Sequence, residues 1–273
     1  MSLKIYMPEY QEQFRFELDA DGIAVLTLNT PKVLNSLSDE GVAAIAHRLD
    51  QLATDTNAKV LVLTGEGRAF CGGFDLSLAG AAPNSDTLGE ATAWTIRQES
   101  FAGLVTKLRA LRQPVIAAVN GPAHGAGLGL ALAAEIRLAG HSADFSAAFV
   151  RVGMSSCDIG VSWLLPRCIG LSRAFEIMLT GRIVKAVEAE RIGLVSAMFE
   201  DAELLPKAME MARAIAANSS FAVWMTKRGT WANAETGSLQ AALELENRTQ
   251  ILARTTGDLQ RAADALIARR KGR

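Results

Sequence analysis

Positions 114–129 read PVIAAVNGPAHGAGLG, and the stretch changes character half-way along. Its first six residues are apolar throughout, which is typical of a strand buried on both faces. An Asn-Gly pair ends this run, and three glycines at alternate positions follow it. Glycine permits a tight backbone path and leaves N–H groups uncovered by side chains. We therefore predict a buried strand, a glycine-rich loop and the start of a helix, in that order.

A second stretch, KVLVLTGEGRAFCGGFDL at 59–76, repeats the same order of strand, glycines and helix start. A helix that begins directly after such a loop directs unpaired N–H groups and a partial positive charge at whatever lies there. This arrangement suits a developing oxyanion, for which one such donor contributes about 3 kcal/mol to lowering the barrier. Together the two loops indicate a site that stabilises negative charge.

Two other interpretations of the glycine loops stay open at this point. The segment 125–129, Gly-Ala-Gly-Leu-Gly after a strand, could form a dinucleotide-binding turn, whose fingerprint is G-x-G-x-x-G with an acidic residue about twenty positions on. Here the third glycine comes one residue too early, and Gly140-His141 lies near the expected acidic position. The sequence therefore disfavours a dinucleotide site. Alternatively, the glycines could serve packing alone.

Outward from these loops, hydrophobic periodicity predicts an α/β chain. Period-two alternation predicts strands at 14–18 and 23–28 around an Asp21-Gly22 turn, and Ser38-Asp39-Glu40 opens a helix with capping chemistry. The segment 79–92 is small, polar and rich in Pro and Gly, so we expect a mobile excursion there. The remaining predicted elements are a strand at 135–139, helices at 94–111, 171–179 and 186–191, a turn and strand at 193–195, and an almost wholly helical region from 204 onward that breaks near 218 and 237.

The composition excludes several classes of protein. A net charge of −1 with no basic stripe argues against nucleic acid as a partner. The three cysteines (Cys71, Cys157 and Cys168) are an odd number without CxxC spacing, which indicates neither a disulfide framework nor a zinc site. No secretory signal is visible, and the longest apolar stretch, 128–134, is too short to span a membrane. We expect a cytoplasmic protein that contacts no membrane and binds no metal.

At this point the two glycine loops resemble a known family. FCGGFDL at 70–76 resembles the first signature of the crotonase (enoyl-CoA hydratase/isomerase) superfamily, and NGPAHGAGLG at 120–129 resembles its second. PKVLNSL at 31–37 is similar to the family's N-terminal segment that contacts coenzyme A. The segment 179–195, with LTGR at its start and AERIGLV at its end, resembles a further signature. The match is ordered and covers nearly the whole chain.

The resemblance implies a fold and a binding mode. The fold is a crotonase-like spiral of strand-strand-helix units, predicted at 1–200 with the CoA and acyl site, followed by a helical oligomerisation region at 201–273. It also implies a homotrimer or homohexamer. The thioester carbonyl of an acyl-CoA substrate is expected between the N–H groups of Phe74 and Ala126. The family has Gly at the second position, and the alanine retains the N–H.

The resemblance also implies the substrate-contacting residues. No permanently bound cofactor is expected, since coenzyme A arrives as part of the substrate. For Asp75 a second interpretation stays open, because it could simply cap the helical turn that follows. The predicted substrate-binding residues are Lys32, Leu34, Ala69, Gly73, Asp75, Leu76, Gly125, Phe149 and Trp163.

Hydratases of this family use two glutamates, and both are absent here. Where the first would stand, three residues beyond the oxyanion position, this chain has Gly129. Where the second would stand, it has Phe149. These replacements argue against ordinary hydratase chemistry.

Asp158 offers another carboxylate near the expected site. It lies twelve residues before Gly170, a spacing that resembles the dienoyl-CoA isomerases and the 4-chlorobenzoyl-CoA dehalogenase, which carry a catalytic aspartate there. Apolar neighbours in the sequence could raise its pKa towards that of a useful base. The alternative is that Asp158 only caps the helix predicted to begin near Ile159. His124, in the second loop, could be an acid or base, although such a residue more often satisfies hydrogen bonds of the loop.

These observations leave competing functions. The first is an enzyme of the enoyl-CoA hydratase/isomerase type, in which Asp158 moves a proton and the N–H groups of Phe74 and Ala126 hold the enolate. The second is a non-catalytic acyl-CoA binder that lost the glutamates. A hydrolase- or dehalogenase-like member with Asp158 as nucleophile is a further alternative, although the His and Trp that dehalogenation requires are not matched. An RNA-binding member of the family is disfavoured by the net charge.

Overall fold

The computed structural model describes residues 13–271, and in this range the chain folds into two β-sheets surrounded by helices. The strands are β1 Phe14–Leu18, β2 Ile23–Leu28, β3 Val60–Gly65, β4 Val115–Val119, β5 Pro122–His124, β6 Ile136–Gly140, β7 Asp144–Ser146, β8 Val184–Lys185 and β9 Ala197–Phe199. The helices are α1 Asp39–Thr54, α2 Ser85–Leu88, α3 Glu90–Ala110, α4 Ala126–Ala133, α5 Val161–Ile169, α6 Leu171–Thr180, α7 Ala186–Arg191, α8 Asp201–Ala216, α9 Ser220–Glu235, α10 Leu239–Arg254 and α11 Asp258–Lys271. None of these helices combines the length and the apolar character needed to cross a bilayer.

The two sheets share their connections, which produces the spiral. The larger sheet has the order β1-β2-β3-β4-β6-β9 and is parallel except for the β1/β2 hairpin. The smaller sheet has the order β5-β7-β8. The chain passes from β4 to β5 and from β6 to β7, so each of these turns begins in the larger sheet and ends in the smaller one. The predicted succession of strand-strand-helix units is confirmed by this topology.

The central strand β3 is buried on both faces, as its continuous apolar sequence predicts. Leu61 and Leu63 join the main core, which lies between the larger sheet and helices α1, α3 and α4. Val60 and Val62 point to the other face, where they pack with Leu204 and the alanines of α8. Both faces of the sheet are therefore covered by helices, and the loops at the strand ends remain available for a site.

Most of the predicted elements are confirmed, and the differences concern short strands and helix ends. Ser38 caps α1, because its Oγ accepts a hydrogen bond from the N–H of Gly41 at 3.0 Å. Strands β5, β7 and β8 were not predicted, since two or three residues are too few for a periodicity to show, and the strand predicted at 193–195 is wrong in position, because β9 begins at Ala197. The excursion predicted at 79–92 contains α2 and the first residues of α3, which begins at Glu90 rather than at 94. A further helix break occurs at 255–257. The division at residue 200 stays a prediction.

Candidate active site

Main-chain hydrogen bonds join the two glycine loops to each other. Cys71 of the first loop pairs with Ala123 of the second in an isolated parallel bridge. The N–H of Cys71 donates to the carbonyl oxygen of Pro122 at 3.0 Å, and its carbonyl accepts from the N–H of His124 at 3.0 Å. The bridge fixes the loops side by side, three residues before Phe74 in the first loop and three residues before Ala126 in the second.

Glycine is required where the two loops touch. A Cβ atom on Gly127 would lie 2.1 Å from the carbonyl oxygen of Cys71, closer than any side chain tolerates. A Cβ atom on Gly73, whose φ is +102°, would lie 2.8 Å from the carbonyl oxygen of His124 and 3.5 Å from the backbone nitrogen of Ala126. The second distance places the nitrogen of Ala126 directly beside the residue that precedes Phe74.

The first loop presents the N–H of Phe74 without a partner. Leu37 donates its N–H to the carbonyl oxygen of Gly73 at 2.7 Å and accepts the N–H of Asp75 at 3.0 Å. In a parallel bridge of this kind, the residue between these two groups turns its own N–H away from the partner strand. Within the described part of the chain, no hydrogen bond uses the N–H of Phe74.

The second loop presents the N–H of Ala126 in the same way. Ala126 is the first residue of α4, and the N–H groups of a first helical turn have no partner inside the helix. The N–H of Gly125 donates to Ser146 at 2.9 Å and that of Gly129 to Gly125 at 3.2 Å, whereas that of Ala126 has no acceptor among residues 13–271. All of α4 is buried, so its positive end acts in apolar surroundings. The oxyanion role of both groups stays a prediction that this placement supports.

One face of helix α3 covers the first loop. The ring of Phe74 packs edge-on against Phe101 at 5.5 Å between centroids and against Trp94 at 6.3 Å. The Arg97 guanidinium lies over the Phe74 ring at 5.0 Å, pairs with Asp39 and donates to the carbonyl oxygen of Leu78 at 2.9 Å. Residues 94, 97 and 101 recur at helical spacing, which is why they share this face.

The structure explains why a glutamate cannot stand at the first of the two usual positions. A Cβ atom on Gly129 would lie 2.7 Å from Cγ2 of Ile159 and 3.0 Å from its carbonyl oxygen, so Ile159 fills the space of a side chain there. The buried ring of Phe149 lies against Gly125, 3.7 Å from the position of a Cβ atom on that glycine. Neither position carries an ionisable group, which supports the prediction that ordinary hydratase chemistry is lost.

Asp158 is partly buried, and its side chain accepts a hydrogen bond from Nε2 of Gln98 on α3. Burial raises the pKa of Asp158 above its ordinary value, while the hydrogen bonds from Gln98 and from the backbone of Ile159 act in the opposite direction. The alternative role of helix cap is wrong. Helix α5 begins at Val161, its N-cap is Gly160, and no side chain caps it.

Ile159 holds the backbone next to the carboxylate in an unusual conformation. Its φ is +41°, in the left-handed region that β-branched residues rarely adopt, and such a conformation costs on the order of 1–3 kcal/mol. The buried side chain fills the space above Gly129, which compensates for this cost. No pattern in the sequence indicates this contact.

The structure brings the predicted CoA-contacting segment to the first loop. Asn35, which is buried, donates its side-chain amide to the carbonyl oxygen of Ala69 at 2.8 Å, and the N–H of Gly72 donates to Leu34 at 2.8 Å. Lys32 lies on the short 3₁₀ turn just before them and is exposed. Lys32 and Leu34 are therefore accessible beside the first loop, whereas Ala69 is buried beneath it and offers only backbone groups, so a common contact with CoA stays a prediction.

Of three further predicted substrate contacts, Asp75 is engaged in a hydrogen bond, whereas Leu76 and Trp163 are exposed. The carboxylate of Asp75 caps the 3₁₀ turn Leu76–Leu78 by accepting from the N–H of Ser77 at 2.9 Å, which confirms the capping interpretation and leaves a CoA contact as a prediction. Leu76 is exposed directly beside it. Trp163 is exposed on α5, with the Arg167 guanidinium 3.1 Å from its ring centroid. Both exposed side chains are free to meet a ligand.

His124 is engaged by strand β7. Its Nε2 lies 2.6 Å from the buried carboxylate of Asp144, which also pairs with Lys185 at 2.7 Å. This contact joins β5 to the rest of the smaller sheet and fits the interpretation of His124 as a residue that satisfies hydrogen bonds around its loop. In the described range, no three His, Cys, Asp or Glu side chains meet as potential metal ligands.

Gln98 is the site residue that sequence reasoning missed. It occupies an exposed position of a long helix, where a glutamine is an unremarkable residue. Sixty positions separate it from Asp158, so no local pattern links the two. Only the packing of α3 against α4 and the segment before α5 brings them together.

Comparison with known proteins places this site in context. The sequence profile described as enoyl-CoA hydratase/isomerase matches residues 19–272. A Mycobacterium bovis protein named probable enoyl-CoA hydratase echA12 is 43% identical over 249 residues, or 91% of this chain and 87% of that protein. The 1,2-epoxyphenylacetyl-CoA isomerase of Escherichia coli K12 is 38% identical over 250 residues, or 91% of this chain and 93% of the relative. The solved structure of a monofunctional enoyl-CoA isomerase from M. smegmatis superposes with a TM-score of 0.72 at 39% identity, covering 85% of this chain and 98% of that one.

Proposed function

We propose a reaction for this chain from the premise that it belongs to the enoyl-CoA hydratase/isomerase family, the crotonase superfamily. It is an acyl-CoA-processing enzyme of the hydratase/isomerase type. The proposed reaction is the migration of a double bond along the acyl chain of a CoA thioester. One carboxylate, that of Asp158, moves the proton between two carbons.

The thioester carbonyl oxygen accepts hydrogen bonds from the N–H groups of Phe74 and Ala126 in this proposal. The Asp158 carboxylate removes a proton from a carbon of the 3-enoyl chain, and the electron pair of the broken C–H bond passes through the conjugated system to the thioester oxygen. The resulting dienolate is held by the two N–H groups. Asp158 then returns the proton to a different carbon, so that atoms and charge balance and the product is the 2-enoyl isomer.

The observation that carries the proposal is the position of Asp158 relative to both glycine loops. Its neighbour Ile159 packs on Gly129, one helical turn beyond Ala126. Its side chain bonds to α3, the same helix whose Trp94 and Phe101 rings pack on Phe74. Two independent contacts therefore link Asp158 to the segments that carry the two predicted enolate-binding N–H groups.

The chemistry of the surroundings favours proton transfer over hydration. Partial burial raises the pKa of Asp158, and a base with a raised pKa holds a proton more readily than an ordinary carboxylate. Hydration in this family uses two glutamates, and those positions hold Gly129 and Phe149 here. Two relatives with 38% and 39% identity bear the name isomerase, which adds support from comparison.

Product analysis tests the proposal directly. The purified protein is incubated with 2-enoyl-, 3-enoyl- and dienoyl-CoA esters, and the products are identified by mass spectrometry and ultraviolet absorbance. We expect conversion between isomers of unchanged mass. Formation of 3-hydroxyacyl-CoA, which gains the mass of water, would instead establish a hydratase.

The substitution Asp158→Asn tests the proposed carboxylate. Removing a general base typically costs about 10²–10⁴-fold in rate, so we expect kcat to fall by that order while CoA-ester binding stays within a few-fold. Calorimetric titration with a saturated acyl-CoA measures the binding. Undiminished turnover in this variant would contradict the assignment.

The C-terminal helices support a proposal of self-association. Leu239, Ile251 and Leu259 on α10 and α11 are each more than half exposed, and so is Leu179 on α6. Three of these side chains lie on the adjoining helices α10 and α11, and exposed apolar side chains grouped in this way are typical of an interface. We propose a homotrimer or homohexamer, which light scattering coupled to size-exclusion chromatography distinguishes from a monomer.

Cofactor and compartment also belong to the proposal. No permanently bound cofactor is required, because the proposed chemistry needs two N–H donors and one carboxylate. Cys71, Cys157 and Cys168 are free thiols, and Cys71 is buried with its pKa raised by burial to about 12. Free thiols fit a reducing compartment, so we propose that the protein works in the cytoplasm.

A further inference from the structure

We propose that Gln98 is a positioning residue for Asp158: its side-chain amide holds the carboxylate in one orientation and favours its ionised form. This inference rests on the proposed function of Asp158 and adds a residue that lies far from it in the sequence. Gln98 is on α3, and its Nε2 donates to Oδ1 of Asp158. The bond therefore crosses from a rigid helix to the loop that precedes α5.

The adjacent residues Arg97 and Gln98 serve different parts of the site. Successive side chains of a helix are about 100° apart around its axis, so the two point in different directions. Arg97 points to the first loop, where it lies over Phe74 and pairs with Asp39. Gln98 points to Asp158. One turn of α3 thus contacts both the predicted enolate-binding loop and the predicted base, which fixes the distance between them.

The orientation of Asp158 depends on few other groups. Its carboxylate does not cap a helix, and its neighbour Ile159 is held by packing against Gly129. A carboxylate with a single side-chain partner would rotate about its own χ angles if that partner were lost. A fixed orientation matters because a base has to lie within hydrogen-bond reach of the proton that it removes.

The amide of Gln98 is the side-chain hydrogen-bond partner of Asp158 within the described part of the chain. Helix α4 contains no ionisable residue. Burial and the hydrogen bonds from Gln98 and Ile159 account for the shift in the pKa of Asp158, with no ion pair involved. On α3, Arg97 pairs with Asp39, Lys107 with Asp50 and Arg109 with Glu235, while Glu90 and Glu99 are exposed. On α5 and the segment before it, Arg151 packs at Gly181, Arg167 lies over Trp163, Cys168 accepts from Arg137, and Cys157 is exposed.

Two substitutions at position 98 shift the pH profile in opposite directions if this inference is correct. Gln98→Leu removes the donor, so the carboxylate ionises less readily and the acidic limb of kcat/KM moves to higher pH. Gln98→Lys keeps a donor and adds a positive charge, so the limb moves to lower pH. We expect kcat to fall about tenfold in Gln98→Leu, as for the loss of one hydrogen bond to a charged group, with KM nearly unchanged.

Thr106→Leu is the matched control, because it replaces another exposed polar residue of α3 more than two turns away. It should leave kcat, KM and the pH profile unchanged. Gln98 is exposed, so both variants should keep the melting temperature of the parent protein, which a thermal scan checks. Acidic limbs that coincide with the parent in both variants would overturn the inference.

Asp158→Asn, measured in the same assays, separates the two levels of the proposal. If this variant is inactive and the Gln98 variants have the parent profile, the role of Gln98 is wrong and that of Asp158 stands. If Asp158→Asn keeps full turnover, the proposed function is wrong and the inference falls with it. Opposite shifts of the limb in the two Gln98 variants, with Asp158→Asn inactive, support both.

Discussion

The two glycine loops and the segment around Asp158 lie together in one candidate site but are held in different ways. The loops are fixed by backbone: Cys71 bridges to Ala123, and Gly127 lies against the Cys71 carbonyl. Asp158 is held mainly by side chains, with the amide of Gln98 on one side and the packing of Ile159 on the other, and the backbone of Ile159 adds one hydrogen bond to its carboxylate.

This difference teaches which part of the site can vary. A backbone bridge works with almost any side chains, provided that glycine stands at the contacts, so the pair of N–H groups does not depend on the reaction. A carboxylate that is held by side chains can be moved by a few substitutions elsewhere. Gly129 and Ile159 illustrate this: position 129 has no side chain, and the side chain of Ile159, next to Asp158, occupies the space beside it. We therefore expect the loops to define the family and the carboxylate to define the reaction.

The largest effect is expected from Gly127→Ala, which disrupts the backbone contact between the two glycine loops. Its Cβ would lie 2.1 Å from a main-chain oxygen that cannot move without opening the bridge. We expect a loss of about 3 kcal/mol or more in the free energy of unfolding, measured by urea denaturation, together with loss of activity. Gly103→Ala on α3 is the control. Nothing lies within 4 Å of its Cβ, so this substitution should stabilise the protein by about 0.5–1 kcal/mol.

A more selective effect is expected from Gly129→Ala, which alters the packing beside Asp158. The new methyl group would lie 2.7 Å from Cγ2 of Ile159 and should displace the backbone next to Asp158. We expect kcat to fall by about tenfold or more, since small misplacements of a catalytic group have effects of this size. CoA-ester binding should change little, because the contacts between the two loops at Gly73 and Gly127 are unaltered.

Adding Ile159→Ala to Gly129→Ala sharpens this prediction. The second substitution removes the Cγ atoms that the first one meets, so the double variant should be less impaired than the sum of the two single variants predicts. Residues in contact typically show coupling of about 0.5–3 kcal/mol. Strict additivity of the two effects on kcat would show that Ile159 does not position the carboxylate.

The smallest effect is expected on stability, from Asp158→Asn. Because burial raises the pKa of Asp158 above 3.8, the folded state binds this proton more tightly than the unfolded state does. The resulting contribution to stability is present at low pH and is lost as the pH rises through the raised pKa. The asparagine variant should therefore be more stable than the parent at neutral pH, and the difference should shrink in acid. Urea denaturation across pH 3–8 measures it; a constant difference would contradict the prediction.

Much of the site was predictable because its signals are local. The two strands before the loops are continuous apolar runs, the glycines mark both loops, and the resemblance to the family singles out Phe74 and Ala126 within them. Even the absence of both glutamates is evident from the residues at 129 and 149. The short strand β5 was missed, because a three-residue strand has too little sequence to show a pattern. The cap proposed for Asp158 was wrong, because the helix begins three residues later, at Val161.

By itself the sequence determined the α/β class and the glycine loops, since strand hydrophobicity and glycine positions act over a few neighbouring residues. Its resemblance to the family then gave the N–H groups of Phe74 and Ala126 as the predicted contacts of the thioester. Tertiary structure alone decided what holds Asp158. Gln98 lies 60 positions away on an exposed helix face, and the fit of Ile159 over Gly129 joins two segments that have no common pattern. Contacts of this kind arise from how helices pack on one another, and packing depends on the shape of the whole core rather than on any one stretch of residues.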